Sequence, residues 1–506
     1  MAGGEPHKRR GGRAGHVAPK RTAFGKIRRK IPPYQLLDSS ALDAIEIQAD
    51  WILERIGMEF HGDDVALELF RAAGADVDGV SVKFEPGLVR SLCATAPRQF
   101  DLVARDPVNT ITLCGDYLVL MPGYGSPFVT DLDRGRRYAT LDDFHKFIKL
   151  TQMSPYLQHS GGTVVEPTDV PVNKRHLDMV YAHLTLSNKP FMGAVTGAVH
   201  AQDSIDMARL VFGDMMDNCA VMQGNINVNS PLVFDGVMTG ALRAYAKAGQ
   251  CVCISPAIFG GAMGPVTQVD VIAQTHAEAM VGIALTQLVR RGCPVVYGSF
   301  HSTMSLKSGA LTFGSAEASL PTMALAQMAR RLGVPVRSGG GQITSSNCAD
   351  GQAMAESNSA MWSTIMSGTH QVWHAAGWLE GGLVMSYEKF AMDLDQCGAM
   401  LRMVQGIETS EFAKDAYRET GPGQNFLATT HTLEHFRDAN FQPDIAECGP
   451  YETWAEAGEQ TLDQRANTRW KSVLGRYQRP EIDASVDTAL LDFMAQRRAR
   501  EEDMWY

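Results

Sequence analysis

Residues Val334–Asn347 read VPVRSGGGQITSSN: a short apolar run, three consecutive glycines, then an unbroken series of small polar residues. Glycines at such a place let the backbone approach a ligand closely, or reach positive φ without steric cost, but they also occur in turns that hold nothing. The wider pattern decides what this stretch belongs to. Short strand-like runs end at LQHSGG, PFMGAVTG, AVMQGNINVNSP, CVCISPAIFGGAMG, PVVYGSFHSTMS, VPVRSGGG and QVWHAAGW. Between them lie segments read as amphipathic helices, among them NKRHLDMVYAHLTLSN, LVFDGVMTGALRAYAKAG, VDVIAQTHAEAMVGIALTQLVRRG and AEASLPTMALAQMARRLG. Such strand, loop, helix repeats imply parallel strands, because a parallel neighbour can be reached only through a crossover. Nearly every run ends in Gly, Asn, His, Ser or an aromatic residue before its helix begins. A closed barrel gathers all those ends on one face, whereas an open doubly wound sheet uses only the loops at its switch point. No GxGxxG follows the first run. The expected fold is α/β, a (β/α)8 TIM barrel over residues 141–410, with the eighth strand supplied by GGLVMSYEKF or by the preceding segment.

The flanks have a different texture. Residues 31–140 predict an N-terminal α+β extension: a helix over SSALDAIEIQADWILERIGMEF capped by Ser39 or Ser40, then short strands, a helix and hairpins. Residues 411–506 predict a C-terminal helical extension, packed on the barrel or serving a homo-oligomer interface. Residues 1–30 carry ten Lys/Arg and one acid and read as a basic disordered or partner-docking arm without the apolar core of a signal peptide.

A chain of 506 residues usually divides into several domains, and a barrel with extensions is the main exception. The net charge of -10 argues against nucleic acid as a principal partner. Nine cysteines without a CxxC pair argue against a zinc finger or a disulfide framework and point to a reducing, cytoplasmic setting. No apolar run is long enough for a membrane span.

The chemistry is unconventional. There is no nucleophile elbow, P-loop, HExxH or SxxK motif. A ring of aromatics sits at the strand ends instead: Tyr124, Phe128, Phe191, Phe259, Tyr297, Phe300, Trp373 and Trp378. Phe191 and Tyr297 could equally face the core. As a group these rings suit a cation lacking N–H donors, since a quaternary ammonium is held by ring quadrupoles and cannot be hydrogen-bonded. Polar candidates at the same level are Asn227, Asn229, His301, Gln342, His374 and Glu380. His159, His301 and His374 lack the spacing of a metal triad, so no metal is expected.

RSGGGQITSSNCADGQAMAES, TFGSAEASLPTMALAQMARRLGVP, HAAGWLEGGLVMSYEKF, RIGMEFH and VDGVSVKFEPGLVRSLCATAP together resemble the trimethylamine methyltransferase superfamily over nearly the whole chain. The resemblance implies a TIM barrel that moves a methyl group from a methylated amine to a cobalt corrinoid carried by a separate small protein. Trimethylamine-specific members use pyrrolysine; this chain, written in ordinary residues, resembles the non-pyrrolysine branch, whose members demethylate quaternary amines such as glycine betaine. The loop departs from the commoner family form, with Ser345 and Asn347 where that form has Asp and Lys.

On this resemblance His374, with Glu380, is expected nearest the reacting centre. Tyr124, Phe259, Tyr297 and Trp378 are expected as cage walls, and His301 and Arg337 as partners of a substrate carboxylate. Asn227, Asn229, Gly339, Gly340, Gly341, Gln342 and Ser346 are expected to face the corrinoid, the glycines leaving space for a broad flat acceptor. The alternatives are corrinoid-free transfer to tetrahydrofolate, or a non-catalytic module binding a methylated amine or the corrinoid protein.

Overall fold

The computed structural model describes residues 26–505 apart from 306 and 338, so residues 1–25 of the predicted basic arm lie outside the described residues. Its strands, in chain order, include β1 (Ile27–Arg28), β2 (Tyr117–Leu120), β3 (Phe128–Thr130), β4 (Arg137–Tyr138), β5 (Phe191–Met192) and β6 (Met222–Val228). They continue with β7 (Cys251–Gly260), β8 (Val295–Gly298), β9 (Phe300–Thr303), β10 (Val336–Arg337), β11 (Gln371–Val372), β12 (Trp378–Leu379) and β13 (Val384–Ser386). The main sheet runs β1-β2-β11-β10-β8-β7-β6-β5, with β9 also paired to β7. Every pairing is parallel except β1 with β2. From β5 to β11 each strand of this path lies beside its predecessor, so the sheet has no switch point of the doubly wound kind. The first strand of the parallel set, β2, comes from the stretch read as an extension, so the sheet draws on both sides of residue 140. GGLVMSYEKF supplies β13 of a small separate sheet, β12-β13-β3-β4.

The sheet is curled. Val119 and Met121, Met192, Cys251 and Cys253, Val296 and Trp373 pack as one interior cluster although they come from opposite edges. Across that interior Gln371 Nε2 donates to Gln223 Oε1 at 2.8 Å. Hydrogen bonds also tie the two edges through the LQHSGG segment: Gln158 N to Leu120 O, 3.1 Å, and Met192 N to Gly161 O, 2.8 Å.

Helices connect the strands, and the long one, Gln268–Val289, is buried from Val271 to Gln287. The sequence reads it as amphipathic, but a helix apolar on all sides must be covered on all sides. Its outer face lies under Ser39–Trp51 and Leu88–Cys93 of the N-terminal segment. The first of these helices is capped by Asp38, whose carboxylate accepts from Ala41 N at 2.9 Å, rather than by Ser39 or Ser40. Asp38 takes the position because its side chain satisfies an orphan N–H while the serines already carry helical backbone.

The end of the sheet opposite the strand C-termini is filled by a hairpin, Phe100–Leu102 with Ile111–Leu113, which joins the interior cluster. The strand C-terminal end therefore remains for function. No helix among the described residues is long and apolar enough to cross a membrane.

Candidate functional site

β10 ends on Arg337 and β11 is followed by Trp373 and His374, so adjacent parallel strands deliver a guanidinium and an imidazole side by side. Arg337 Nη2 lies 3.2 Å from His374 Nε2, and Nη1 donates to the Ser299 carbonyl at 2.6 Å. The guanidinium stands 4.4 Å from the Trp373 ring centroid and 5.4 Å from that of Phe300. Both residues are buried, Arg337 at 3% and His374 at 4% exposure. Among the described residues Arg337 forms no ion pair. Burial pulls its guanidinium down to about 10, which leaves it charged at neutral pH.

His374 is held neutral: burial pushes its imidazole well below the usual histidine range, and the Arg337 cation adds to the effect. Because arginine can only donate, His374 Nε2 must be the acceptor and Nδ1 must carry the proton. That Nδ1 has no partner among the described residues, and neither do Arg337 Nε and Trp378 Nε1. Three buried N–H groups and one full positive charge thus lie together with no acid paired to them among the described residues. His374 also sits at φ +54°, a left-handed conformation that costs a non-glycine residue about 1–3 kcal/mol and collects at functional sites.

The aromatic surround is continuous. Trp378 stands against His374 with centroids 4.2 Å apart, Phe300 lies 5.6 Å from His374 and 5.9 Å from Trp378, and Phe313 lies 5.8 Å from Trp378. Tyr124 approaches Trp373 at 5.8 Å, and its hydroxyl meets Thr163 and Asn225; burial pushes its phenol up. Phe259 is further out, 6.3 Å from Phe300.

Several residues expected here turn elsewhere. Tyr297 is fully buried and faces the helix Gln268–Val289, its hydroxyl 3.2 Å from His276 Nδ1, so it is no cage wall. Strand alternation explains this: its neighbour Val296 takes the interior side. His301 points its Nε2 at the helix Ala316–Leu332, 3.0 Å from both the Ala318 carbonyl and Thr322 Oγ1, although it remains close enough to feel the Arg337 charge. Among the described residues no group of three or more His, Cys, Asp or Glu could hold a metal ion, and His159 Nδ1 accepts instead from Gly161 N at 2.9 Å.

Gly339, Gly340 and Gly341 are all buried, and their missing Cβ atoms make room for protein rather than for an open acceptor. A Cβ on Gly341, φ +32°, would lie 2.7 Å from the His374 carbonyl oxygen; one on Gly340 would lie 2.8 Å from Ile343 Cδ1. Gln342 is spent on the same packing, its N donating to His374 O at 2.9 Å and its Nε2 to Ala375 O at 2.8 Å. Ser346 Oγ closes its own loop on the Cys348 carbonyl at 3.0 Å. Asn227 and Asn229 are exposed; Asn229 Nδ2 donates to Asp235 at 2.8 Å, while Asn227 Oδ1 accepts from Asn225 at 3.3 Å. Glu380 lies at the rim, both oxygens 3.1 Å from Arg136 Nε, with Arg136 stacked over Phe128.

The sequence reading missed Asn225 and Phe313. Asn225 is two residues before Asn227 on the same strand, so period-two spacing could have found it. Nothing in the sequence marks Phe313, which arrives through a loop whose Phe313 N donates to Ser345 Oγ at 2.9 Å.

The sequence profile described as Trimethylamine methyltransferase (MTTB) matches residues 3–502. A protein of Desulfitobacterium hafniense (strain Y51) named Glycine betaine methyltransferase is 39% identical over 471 residues, which cover 92% of this chain and 98% of that one. A Proline betaine:corrinoid methyltransferase of Eubacterium limosum is 28% identical over 85% of this chain and 91% of its own length. An L-carnitine:corrinoid methyltransferase of the same organism is 26% identical over 77% of this chain and 82% of its own length.

Proposed function

From the premise that this chain belongs to the trimethylamine methyltransferase family and is a methyltransferase, we propose that it demethylates a small betaine and passes the methyl to the Co(I) corrinoid of a separate carrier protein. The observation that carries the substrate class is Arg337. Leaving a buried charge without a counter-ion is costly, and a carboxylate arriving with the substrate would offset that cost. The relatives named for glycine betaine, proline betaine and carnitine all take substrates that join a carboxylate to a quaternary ammonium.

In this reading Arg337 and the N–H groups of His374 and Trp378 receive the carboxylate. Trp373, Trp378, Phe300 and Phe313 surround the ammonium, for which ring faces substitute for water. A quaternary ammonium that gives up CH₃⁺ leaves as a neutral tertiary amine, so no acid is needed to expel it. The site accordingly offers orientation and exclusion of water rather than proton transfer. The neutral His374 has no proton to gain in this step; it holds the substrate through Nδ1–H.

The corrinoid supplies the nucleophile when its carrier docks. Access is from the strand C-terminal face, where Asn227, Asn229 and Leu383 are exposed and suit an amide-fringed, flat molecule. We read the sheet as a closed (β/α)8 barrel, supported by the bonds through Gln158 and Gly161, and we place the enzyme in the cytoplasm. The test is purified protein with Co(I) cobalamin and a panel of betaines, scored by cobalamin absorbance and by the demethylated amine. No change with any betaine would overturn the reading, and methyl-tetrahydrofolate formed in a corrinoid-free mixture would assign the other acceptor.

A further inference from the structure

Behind the site, the helix Tyr387–Val404 buries a complete ion pair. Lys389 and Asp393 are both 0% exposed in their side chains, one turn apart, with Lys389 Nζ 2.8 and 2.7 Å from the two carboxylate oxygens. The mechanism uses neither residue. Replacing such a pair by apolar side chains is often neutral or stabilising, so stability alone does not account for it.

What the pair holds is main chain. Asp393 Oδ2 accepts from Gly377 N at 2.8 Å, and Lys389 Nζ donates to the Gln342 carbonyl at 3.2 Å. Gln342 Nε2 donates to Ala375 O at 2.8 Å and to Asp393 O at 2.7 Å, while Gln342 N donates to His374 O at 2.9 Å. His374 N and Ala375 N donate to Pro122 O and Met121 O from the other side. The strap His374–Gly377 is therefore gripped at almost every polar group, and one rigid helix fixes both that strap and the glycine loop packed against it.

We propose that Asp393, its charge balanced by Lys389 and its carboxylate acting through Gly377, is a positioning residue that together with Gln342 keeps His374 in its left-handed conformation with Nε2 on Arg337. This rests on the reading in which His374 meets the substrate. An unclamped strap would relax toward ordinary φ and withdraw the imidazole, and a displacement of about 1 Å costs on the order of a hundredfold in rate.

Two double variants with the same charge separate positioning from folding. Lys389→Met with Asp393→Leu removes the acceptor for Gly377 N–H, whereas Lys389→Met with Asp393→Asn keeps a carbonyl oxygen there. Turnover of glycine betaine with Co(I) cobalamin should fall about a hundredfold in the Leu variant and stay within about threefold in the Asn variant. Independently of turnover, ¹⁵N-histidine spectra, with His374 assigned through His374→Gln, should show the fixed Nδ1–H tautomer in wild type and Asn variant and its loss in the Leu variant. A wild type inactive on every betaine would sink the functional reading, while the His374 signals would still decide the positioning role. Unchanged His374 signals in the Leu variant, or equal losses in both, would overturn the proposal. Gln342→Met cuts the Ala375 clamp and leaves the ion pair; it should disturb the same signals, which keeps the test decisive if the Leu variant does not fold.

Discussion

Two buried basic groups lie at opposite ends of the sheet, and they are treated differently: burial pulls the Lys189 amine down to about 7, whereas Arg337 stays charged at neutral pH. Lys189, just before β5, donates to the carbonyls of Thr151, Ser154 and Leu157 at 2.7, 2.9 and 2.6 Å, so all three of its protons are placed. Among the described residues Arg337, at the end of β10, donates to one carbonyl and one imidazole and its Nε has no partner. The first arrangement ties the end of the helix Leu141–Met153 to the turn that follows it and gives the Ser154 and Leu157 carbonyls a donor. The second leaves capacity for something that arrives later. Burial alone does not distinguish a structural charge from a functional one; the count of satisfied donors does.

Arg337→Met should break the contrast most visibly. Turnover efficiency on glycine betaine should fall about a thousandfold, roughly 4 kcal/mol, because truncating one side of a buried charge pair strands the other. The melting temperature should hold or rise, since an unpaired buried charge has been removed. A variant that kept its activity would show that the substrate carboxylate binds elsewhere. Lys189→Met should do the reverse: about 3 kcal/mol lost in urea titration, from the donor taken away from the Ser154 and Leu157 carbonyls, with turnover per folded molecule unchanged.

The pH dependence sharpens the same point through the histidines. Burial holds His183, His301 and His370 at about 4, below the unfolded value, so between about pH 6.5 and 4 the unfolded chain binds protons that the native one does not. Stability must therefore fall as pH falls through that window, by about 1.4 kcal/mol per pH unit for each histidine. Asp393, raised to about 6 by burial, works in the opposite direction as a single group. Urea midpoints measured from pH 7 to 4 check the sign; a flat profile would contradict it. Betaine binding, in contrast, should show no limb near pH 6.5, because His374 stays neutral throughout. The smallest effect should come from Trp378→Leu, about fivefold weaker betaine binding by calorimetry, or roughly 1 kcal/mol, for loss of one ring face.

The glycine loop and the strand ends show where sequence reading stopped. The repeat of runs and helices, the gathering of unusual residues at run ends, and the family motifs were all legible, and they led to Arg337, His374, Tyr124 and Trp378 as candidates. Tyr297 and His301 carry the same local signals yet face helices, because a residue's side of a strand depends on register and not on its neighbours' chemistry. Lys389 and Asp393 were visible as an i, i+4 pair in YEKFAMD, but that spacing on a helix surface is common and only their complete burial gives it meaning.

The sequence by itself determined the family, the α/β alternation and the residue types gathered at the strand ends, since period and motif are properties of the chain. Only the tertiary structure decided which of those residues meet. Packing closed the three glycines against protein, Gly341 against the His374 strap, instead of leaving them open to a ligand, and it left Arg337 buried with no acid beside it among the described residues. Both outcomes depend on which segments become neighbours, and a one-dimensional pattern does not carry that.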